Sequence, residues 1–291
     1  MSKIKTADEL IAEEFGFSYT PEVREKTSAI TIFKGSKATD RFNFLKTKYG
    51  GGISTGYSVL DEYFTFLPQQ LYLISAPTHH GKTLFSMNMA SRVATLGHKV
   101  LFASLEQGVF VSQFVEKIVE GVYPENLWIL DTGDMLSVEE LLGEIEGMEE
   151  KPDLLFVDHI HFLKKKGRGA TEDIDEIILK LQNLAKKLEI PVVAISHLRK
   201  LNADKPPELD DLRDSSSLSQ VPSVVMFVYR KKDLELDDGY LSNDGTIFIP
   251  KNRIQGKTGA EHFYIEKGGK IEFVAKKKSI VGMARDIFST S

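Results

Sequence analysis

The chain has 291 residues, of which 42% are hydrophobic and 27% are charged, and this composition is typical of a globular protein with one large or two modest domains. The absence of cysteine excludes disulfides and thiolate metal sites, and no apolar run reaches the roughly 20 residues that span a bilayer. A formal net charge of −5 argues against general coating of nucleic acid, although a local basic loop could still bind it. The start, Met1 to Glu14, is polar and unlike a signal sequence, so we expect a cytoplasmic protein.

The first 50 residues differ from the rest of the chain. Helices are predicted at Thr6–Phe15 and at Lys37–Lys48, before the glycines at 50–52. The segment is too small to form its own core, so we expect either a frayed extension or an arm that packs on a neighbouring subunit. We divide the chain into this extension (1–50), a central domain (51–275) and a basic tail (276–291).

From residue 53 onward, apolar runs alternate with helical patterns. Several runs are apolar throughout, which predicts an α/β fold with a mostly parallel sheet covered by helices on both faces. The predicted parallel strands are Leu71–Ser75, Val100–Ser104, Leu127–Leu130, Leu154–Val157, Val192–Ile195 and Val224–Tyr229, and the predicted helices are Leu84–Leu96, Val109–Glu120, Ser137–Met148 and Thr171–Leu188. The last three runs, Gly245–Ile249, His262–Glu266 and Lys270–Val274, predict antiparallel strands added to one edge.

The segment Ala76-Pro-Thr-His-His-Gly-Lys-Thr83 joins the first predicted strand to a helix. It fits the phosphate-binding pattern G-x-x-x-x-G-K-[ST] except at the first position, which is Ala76. Backbone N–H groups that converge at a helix N-terminus favour a polyphosphate, so we expect binding of ATP or another nucleoside triphosphate. Lys82 would meet the β- and γ-phosphates, and Thr83 would ligate Mg²⁺. The predicted contacts are Ala76, Thr78, His80, Gly81, Lys82 and Thr83.

Three polar residues follow other predicted strands. Asp158 ends an apolar strand in the Walker B manner and is predicted to hold Mg²⁺ together with Thr83. Glu106 follows another strand and could polarise the attacking water, a role that typically contributes about 10² to 10⁴ in rate. His197 follows a third strand and could sense the γ-phosphate by hydrogen bonding. All three should lie at the carboxyl edge of the sheet.

Six further motifs follow one another along the chain, namely Ile53–Asp61, Ser104–Glu106, Asp158–Ile160, Pro191–His197, Asp211–Arg213 and Lys251–Arg253. Their order resembles that in the motor domain of DnaB-type replicative helicases and of phage primase-helicases. The chain resembles that family over Gly51 to Val274. The resemblance implies a RecA-like fold, a homo-oligomeric, hexameric ring, and ATP-driven translocation on single-stranded DNA with unwinding of duplex. It also implies that primase, polymerase or a loader could be partners.

The resemblance gives roles to further residues. Arg253 matches the arginine finger offered to the neighbour's nucleotide, with Lys251 beside it, and Glu106 matches the catalytic glutamate. The segment Asp211-Leu-Arg-Asp-Ser-Ser216 aligns with a DNA-binding loop in which Ser216 replaces glycine. The DNA-binding candidates are Arg213, Asp214 and Ser216, joined by Lys164 and Lys165 from a basic run after the Walker B strand.

Three functions stay open at this point. The first is a ring helicase. The second is a RecA- or RadA-like filament protein or a regulatory ATPase without helicase activity. The third is a motor that hydrolyses ATP but has lost unwinding. The order of Asp211–Arg213 and Lys251–Arg253 favours the helicase.

Overall fold

The computed structural model describes residues 36–48, 51–119, 122–132, 134–163, 174–198, 205–212, 216–232 and 241–274. The chain divides into two compact units, Met1–Gly52 and Ile53–Ser291. In the first unit, helix α1 covers Ser36–Lys48 and confirms the helix predicted at Lys37–Lys48. The helix predicted at Thr6–Phe15 and the basic tail lie outside the described residues.

The second unit is built on one sheet of nine strands. The strands are β1 (Leu71–Ala76), β2 (Val100–Ser104), β3 (Leu127–Leu130), β4 (Leu154–Asp158), β5 (Val192–His197), β6 (Val224–Lys232), β7 (Leu241–Asn252), β8 (Ala260–Lys267) and β9 (Lys270–Val274). Their order across the sheet is β3-β2-β4-β5-β1-β6-β7-β8-β9. Strands β1 to β6 pair in parallel, and β7, β8 and β9 add antiparallel strands at one side. The predicted fold class is therefore confirmed.

Helix α2 (Ser58–Asp61) precedes β1, and the other helices of this unit lie in the crossovers between the parallel strands. They are α3 (Lys82–Thr95), α4 (Ser112–Val119), α5 (Val138–Gly147), α6 (Ile174–Leu188) and α7 (Ser216–Gln220), with 3₁₀ turns at Gly108–Val111, Ile160–Phe162 and Leu209–Leu212. None of the helices within the described ranges is both long and apolar enough to cross a membrane.

Alternation along the strands produces two hydrophobic cores, one on each face of the sheet. In β1, Tyr72 and Ile74 point to the face covered by α3 and α4, whereas Leu71 and Leu73 point to the face covered by α5 and α6. All six residues of β1 are buried, which explains why the strand is apolar except for Ser75, whose hydroxyl donates to the carbonyl of Ser196 at 3.1 Å. Packing of the two cores against the sheet holds the strands in place and thereby sets the positions of the strand ends.

Strand direction defines two edges of the sheet. At the carboxyl edge, the parallel strands β1, β2, β4 and β5 end. At the amino edge those strands begin, and β7 ends there because it runs antiparallel to β6, with Asn252 opposite Val224. The strand predicted at Gly245–Ile249 is longer than expected, since its pairing with β6 extends beyond the apolar run. That extension brings Lys251 and Asn252 into the sheet.

Candidate nucleotide site

The phosphate loop connects β1 to α3 as predicted. Gly81 is the residue before α3 and has φ 85°, a left-handed conformation that favours glycine. Lys82 and Thr83 begin α3 and are buried, whereas Thr78 is exposed. The helix therefore starts two residues earlier than the predicted Leu84, and its first N–H groups point into the loop.

His80 belongs to the same loop, but its ring faces the sheet. Its Nδ1 accepts a hydrogen bond from the backbone N–H of Arg230 at 3.0 Å, and its ring packs on Tyr229 with centroids 5.4 Å apart. Burial, with smaller effects of Arg230 and His79, lowers the pKa of His80 to about 4, so the imidazole is neutral at pH 7. His80 thus anchors the loop to β6 through its side chain.

The polar residues predicted at the ends of three other strands converge on the start of α3. Nζ of Lys82 lies 3.0 Å from Nε2 of His197 and 4.0 Å from Oε2 of Glu106. Asp158 accepts a hydrogen bond from the side chain of Thr83. The carboxyl edge therefore brings together Lys82, Thr83, Glu106, Asp158 and His197, as the sequence predicted.

Burial dominates the electrostatics of this group. It raises the pKa of Asp158 from 3.8 to about 6, against the opposing effects of the Thr83 hydrogen bond and of Lys82. It also lowers the pKa of Lys82, and the carboxylates of Asp158 and Glu106 oppose that change. Buried charges of this kind are costly unless a ligand or an ion compensates them.

The residues present fit the Mg²⁺ that the sequence predicts. Oδ1 of Asp158 is buried and has no hydrogen-bond partner among the described residues. A carboxylate oxygen beside a threonine hydroxyl is the kind of oxygen ligand set that Mg²⁺ prefers. A cation held between Thr83 and Asp158 would satisfy this oxygen.

Two histidines that sequence reasoning did not select lie beside His197. The ring of His159 is 4.0 Å from that of His197 and 4.7 Å from that of His161, measured between centroids. Burial lowers the pKa of His159 to about 2 and that of His197 to about 4, with neighbouring histidines and Lys82 contributing less. Both imidazoles are neutral at pH 7. The signal in the sequence was the alternation Asp158-His-Ile-His161, directly after a buried strand.

The residues predicted to act on a neighbour's nucleotide lie at the amino edge. Arg253 is exposed, and its backbone N–H donates to the carbonyl of Ser223 at 2.8 Å. Lys251 is half-buried, and its Nζ donates to the carbonyls of Ser219 and Gln220, each at 2.6 Å. Burial, with a smaller effect of Arg253, lowers the pKa of Lys251 to about 8.

Asn252 lies between these two cations and was missed by sequence reasoning. Its Nδ2 donates to the carbonyls of Tyr63 at 2.7 Å and Lys257 at 3.1 Å, and its Oδ1 accepts from the N–H groups of Ile254 and Gln255. The side chain is only 5% exposed. Because neighbouring residues on a strand face opposite sides, the buried Asn252 at the end of β7 turns Lys251 to the other side, and Arg253 follows in an exposed turn.

The two edges are separated by the length of a strand. Val224 is level with Tyr72 at the start of β1, and the phosphate loop begins after Ala76, about 13 Å further on at about 3.3 Å per residue. Arg253 therefore lies at the edge opposite to Lys82 of its own chain.

One of the DNA-binding candidates is described by the structure. Ser216 is the exposed first residue of α7, where the sequence predicted a loop. The backbone N–H of Ser217 donates to Oδ1 of Asp175 in the first turn of α6 at 2.9 Å, and Leu218 is buried, so packing on α6 favours a helix here. The other candidates, Arg213, Asp214, Lys164 and Lys165, lie outside the described residues.

The chain has relatives among known proteins. The chain is similar to a probable plasmid replicative DNA helicase of Chlamydia psittaci, with 31% identity over 249 residues that cover 72% of this chain and 52% of the relative. The chain spans about half the length of the curated relatives that it matches.

Solved structures share the fold. A DnaB-like replicative helicase, whose structure describes its interactions with primase, superposes with a TM-score of 0.61 at 20% identity and covers 93% of this chain and 72% of its own. The RadB recombinase superposes with a TM-score of 0.53 at 20% identity and covers 77% of this chain and 100% of its own. These likenesses confirm the predicted RecA-like fold.

A family model of the DnaB-like helicase C terminal domain matches residues 52–120 and 111–271, which together cover strands β1 to β8 and the start of β9. The chain therefore belongs to the family of DnaB-like helicase C-terminal domains.

Proposed function

We propose that this chain is the motor of a replicative-type DNA helicase, which hydrolyses ATP between the subunits of a ring and translocates on single-stranded DNA. The observation that carries the proposal is the convergence of Lys82, Thr83, Glu106, Asp158 and His197 at one edge of the sheet, with Arg253 at the opposite edge. Membership of the DnaB-like family favours this function over a filament-forming or regulatory ATPase.

The carboxyl edge can divide the work of hydrolysis among its residues. Lys82 would neutralise phosphate charge, and Glu106 would orient and deprotonate the attacking water. His197 is neutral, and its Nε2 lies 3.0 Å from Nζ of Lys82. Its hydrogen bonds can therefore change between the state with the γ-phosphate and the state without it. Thr83 and Asp158 would hold Mg²⁺, which supplies positive charge to the phosphate oxygens.

The amino edge supports a shared site. An exposed Arg253 that its own chain keeps away from Lys82 can serve as an arginine finger only for another subunit, which would contribute about 10³ to 10⁵ in rate. Lys251 would accompany it. A finger supplied in trans makes assembly a condition of activity. We therefore propose a homo-oligomeric ring with six subunits, as in the family that the sequence resembles.

We propose that Ser216 and its neighbours Arg213 and Asp214 contact the DNA backbone, with Lys164 and Lys165 as further candidates. Contacts to phosphate would be insensitive to base sequence. We further propose that residues 1–50 form an arm, that 51–275 form the motor and that 276–291 form a basic tail. A primase, polymerase or loader would be its partners in the cytoplasm of a bacterium, or in phage or plasmid replication.

The test combines size, hydrolysis and strand displacement. The full chain is measured by native mass spectrometry with and without a non-hydrolysable ATP analogue and single-stranded DNA, and the same preparation is assayed for ATPase and for displacement of a labelled strand. Rings with DNA-stimulated ATPase and displacement are expected. Helical filaments would favour the RadA-like function, and hydrolysis without displacement would favour a motor that has lost unwinding.

The matched variants are Lys82→Ala and Lys99→Ala. The first removes the phosphate-binding ammonium and should abolish both activities. The second removes a partly exposed lysine at the amino edge, whose ion pair with Glu150 at 3.0 Å contributes at most about 1 kcal/mol. It should leave both activities unchanged. Displacement by Lys82→Ala at the wild-type rate would contradict the assignment of the phosphate loop.

A further inference from the structure

The histidines beside the nucleotide site have an unused binding capacity. His159 is 2% exposed, and its Nε2 has no hydrogen-bond partner among the described residues. Nδ1 of His197 is likewise buried without a partner in the described part of the chain. A buried ring nitrogen without a partner is costly, and in native structures such a group calls for an explanation.

A carboxylate completes this pair of imidazoles. Glu106, His159 and His197 each offer one ligand atom, and the three atoms lie within 4.8 Å of one another. The two rings are close together, with centroids 4.0 Å apart, and the ring nitrogens of imidazole are common metal ligands. His161 is engaged elsewhere, because its Nε2 lies 3.2 Å from Oγ of Ser196.

We propose that Glu106, His159 and His197 form a second metal site that binds Zn²⁺ or a similar transition-metal ion, distinct from the Mg²⁺ position at Thr83 and Asp158. Two imidazoles and one carboxylate are a ligand set that zinc uses when a fourth position is left open. Imidazole nitrogens favour zinc over magnesium, whereas the oxygens of Thr83 and Asp158 favour magnesium.

The geometry needs only a small closure. Ligand atoms in a tetrahedral zinc site are about 3.4 Å apart, given metal–ligand bonds of about 2.0 to 2.1 Å. Glu106 is partly exposed and can rotate toward the two histidines, which packing holds in place. The ammonium of Lys82, 3.0 Å from His197, opposes the metal, so the site should be weaker than a structural zinc site.

Occupancy would have a regulatory consequence, which rests on the proposed function. A metal that takes Glu106 and His197 removes the groups proposed to orient water and to sense the γ-phosphate. ATP hydrolysis at saturating magnesium should therefore be inhibited by zinc. Chelation should restore it, because binding involves no covalent change.

The direct test is a Co²⁺ titration of the full chain, with visible absorption as the readout, followed by displacement with Zn²⁺. Wild type should show a visible absorption band that saturates at one equivalent of Co²⁺ and is typical of Co²⁺ with a low coordination number. His159→Phe, which keeps a ring and removes the nitrogens, and Glu106→Gln should each weaken binding by about tenfold or more. The control is His98→Asn, since His98 precedes β2 at the amino edge and should leave the titration unchanged.

Inhibition of the ATPase is the second readout. Zinc should inhibit wild type and His98→Asn equally, and His159→Phe should require about tenfold more zinc relative to its own uninhibited rate. Absence of a saturable Co²⁺ band in wild type, or a wild-type titration of both ligand variants, would overturn the metal site. A normal titration in a chain without any ATPase would instead overturn the proposed function and leave the metal site standing.

Discussion

The candidate residues at the two edges of the central sheet differ in their exposure to water. At the carboxyl edge, Lys82 and Asp158 are buried. Burial lowers the pKa of Lys82 and raises the pKa of Asp158, so it favours the neutral form of each side chain. At the amino edge, Arg253 is exposed to water. The carboxyl edge is thus organised before substrate arrives, whereas Arg253 gains electrostatic strength only when another surface covers it and excludes water.

The largest expected effect tests the separation of the edges. Arg253→Ala should reduce the ATPase rate of the assembled protein by about 10³ to 10⁵. Nucleotide binding by the separated subunit should be unchanged, because its phosphate loop is intact. Steady-state ATPase and fluorescent-nucleotide titration measure the two quantities. Lys267→Ala, at an exposed position of β8, is the control.

Mixing two inactive variants sharpens the comparison further. Glu106→Gln alone should reduce the rate by about 10² to 10⁴. Mixed with Arg253→Ala, it should recover about a quarter of the wild-type rate, because one interface in four joins an intact Glu106 to an intact Arg253. No recovery in mixed rings verified by mass spectrometry would show that both residues serve one chain.

The free-energy cost of ionising the buried carboxyl group of Asp158 predicts that the stability of the protein depends on pH. The pKa of Asp158 is raised by burial from 3.8 to about 6, so the folded state binds a proton more tightly than the unfolded state. Stability of the nucleotide-free protein in EDTA should therefore fall as pH rises from about 4 to about 6. Below about pH 4, Asp158 is protonated in both the folded and the unfolded state, so it no longer makes stability depend on pH.

Asp158→Asn isolates this contribution. Its neutral amide removes the cost of ionisation, so it should be more stable than wild type at pH 8 by up to about 3 kcal/mol and similar at pH 4. Chemical unfolding at both pH values measures the difference. The exposed Asp244→Asn is the matched control and should show no such change. Equal stability of Asp158→Asn and wild type at pH 8 would contradict a buried, costly carboxylate.

A smaller effect is expected from the buried amide of the amino edge. Asn252→Ala leaves the carbonyls of Tyr63 and Lys257 without their amide donor and should lower the free energy of unfolding by about 1 to 3 kcal/mol. Urea unfolding measures the change. Asn43→Ala, at an exposed position of α1, should change stability little.

The smallest effect is expected from Lys251→Met. The variant keeps an unbranched apolar stem and loses two hydrogen bonds to Ser219 and Gln220, while it also removes the desolvation cost of a half-buried ammonium. Because these contributions oppose each other, the free energy of unfolding should change by less than about 1 kcal/mol. A loss of several kcal/mol in urea unfolding would show that Lys251 is primarily structural.

Much of the carboxyl edge could be predicted because it depends on local patterns. An apolar strand followed by a glycine, a lysine and a threonine specifies the phosphate loop, although the helix starts at Lys82 rather than at the predicted Leu84. Parallel strands must bring Glu106, Asp158 and His197 to one edge. The strands Val100–Ser104 and Leu127–Leu130 have the bounds that their apolar runs predicted. Helix α1 was equally visible as a run without proline or glycine.

The remaining features depend on contacts distant in sequence. The buried side chain of Asn252 donates to the carbonyl of Tyr63, which is 189 residues away, and no pattern around Asn252 indicates that partner. His159 follows the end of β4, where alternation no longer fixes the direction of a side chain. The family resemblance placed Ser216 in a loop, whereas the packing of α7 on α6 makes Ser216 the first residue of a helix.

The bond between Lys251 and α7 has a thermodynamic consequence. Lys251 holds the carboxyl end of α7, and Ser216, a DNA-binding candidate, begins the same helix. A phosphate that binds the Lys251 ammonium must replace its hydrogen bonds to the carbonyls of Ser219 and Gln220. A ligand that alters α7 therefore changes the free energy of this replacement. Linkage makes the effect reciprocal: the factor by which DNA changes nucleotide affinity through this contact equals the factor by which nucleotide changes DNA affinity. Measuring nucleotide affinity with and without DNA, in wild type and in Lys251→Met, would therefore give the coupling free energy that this side chain carries.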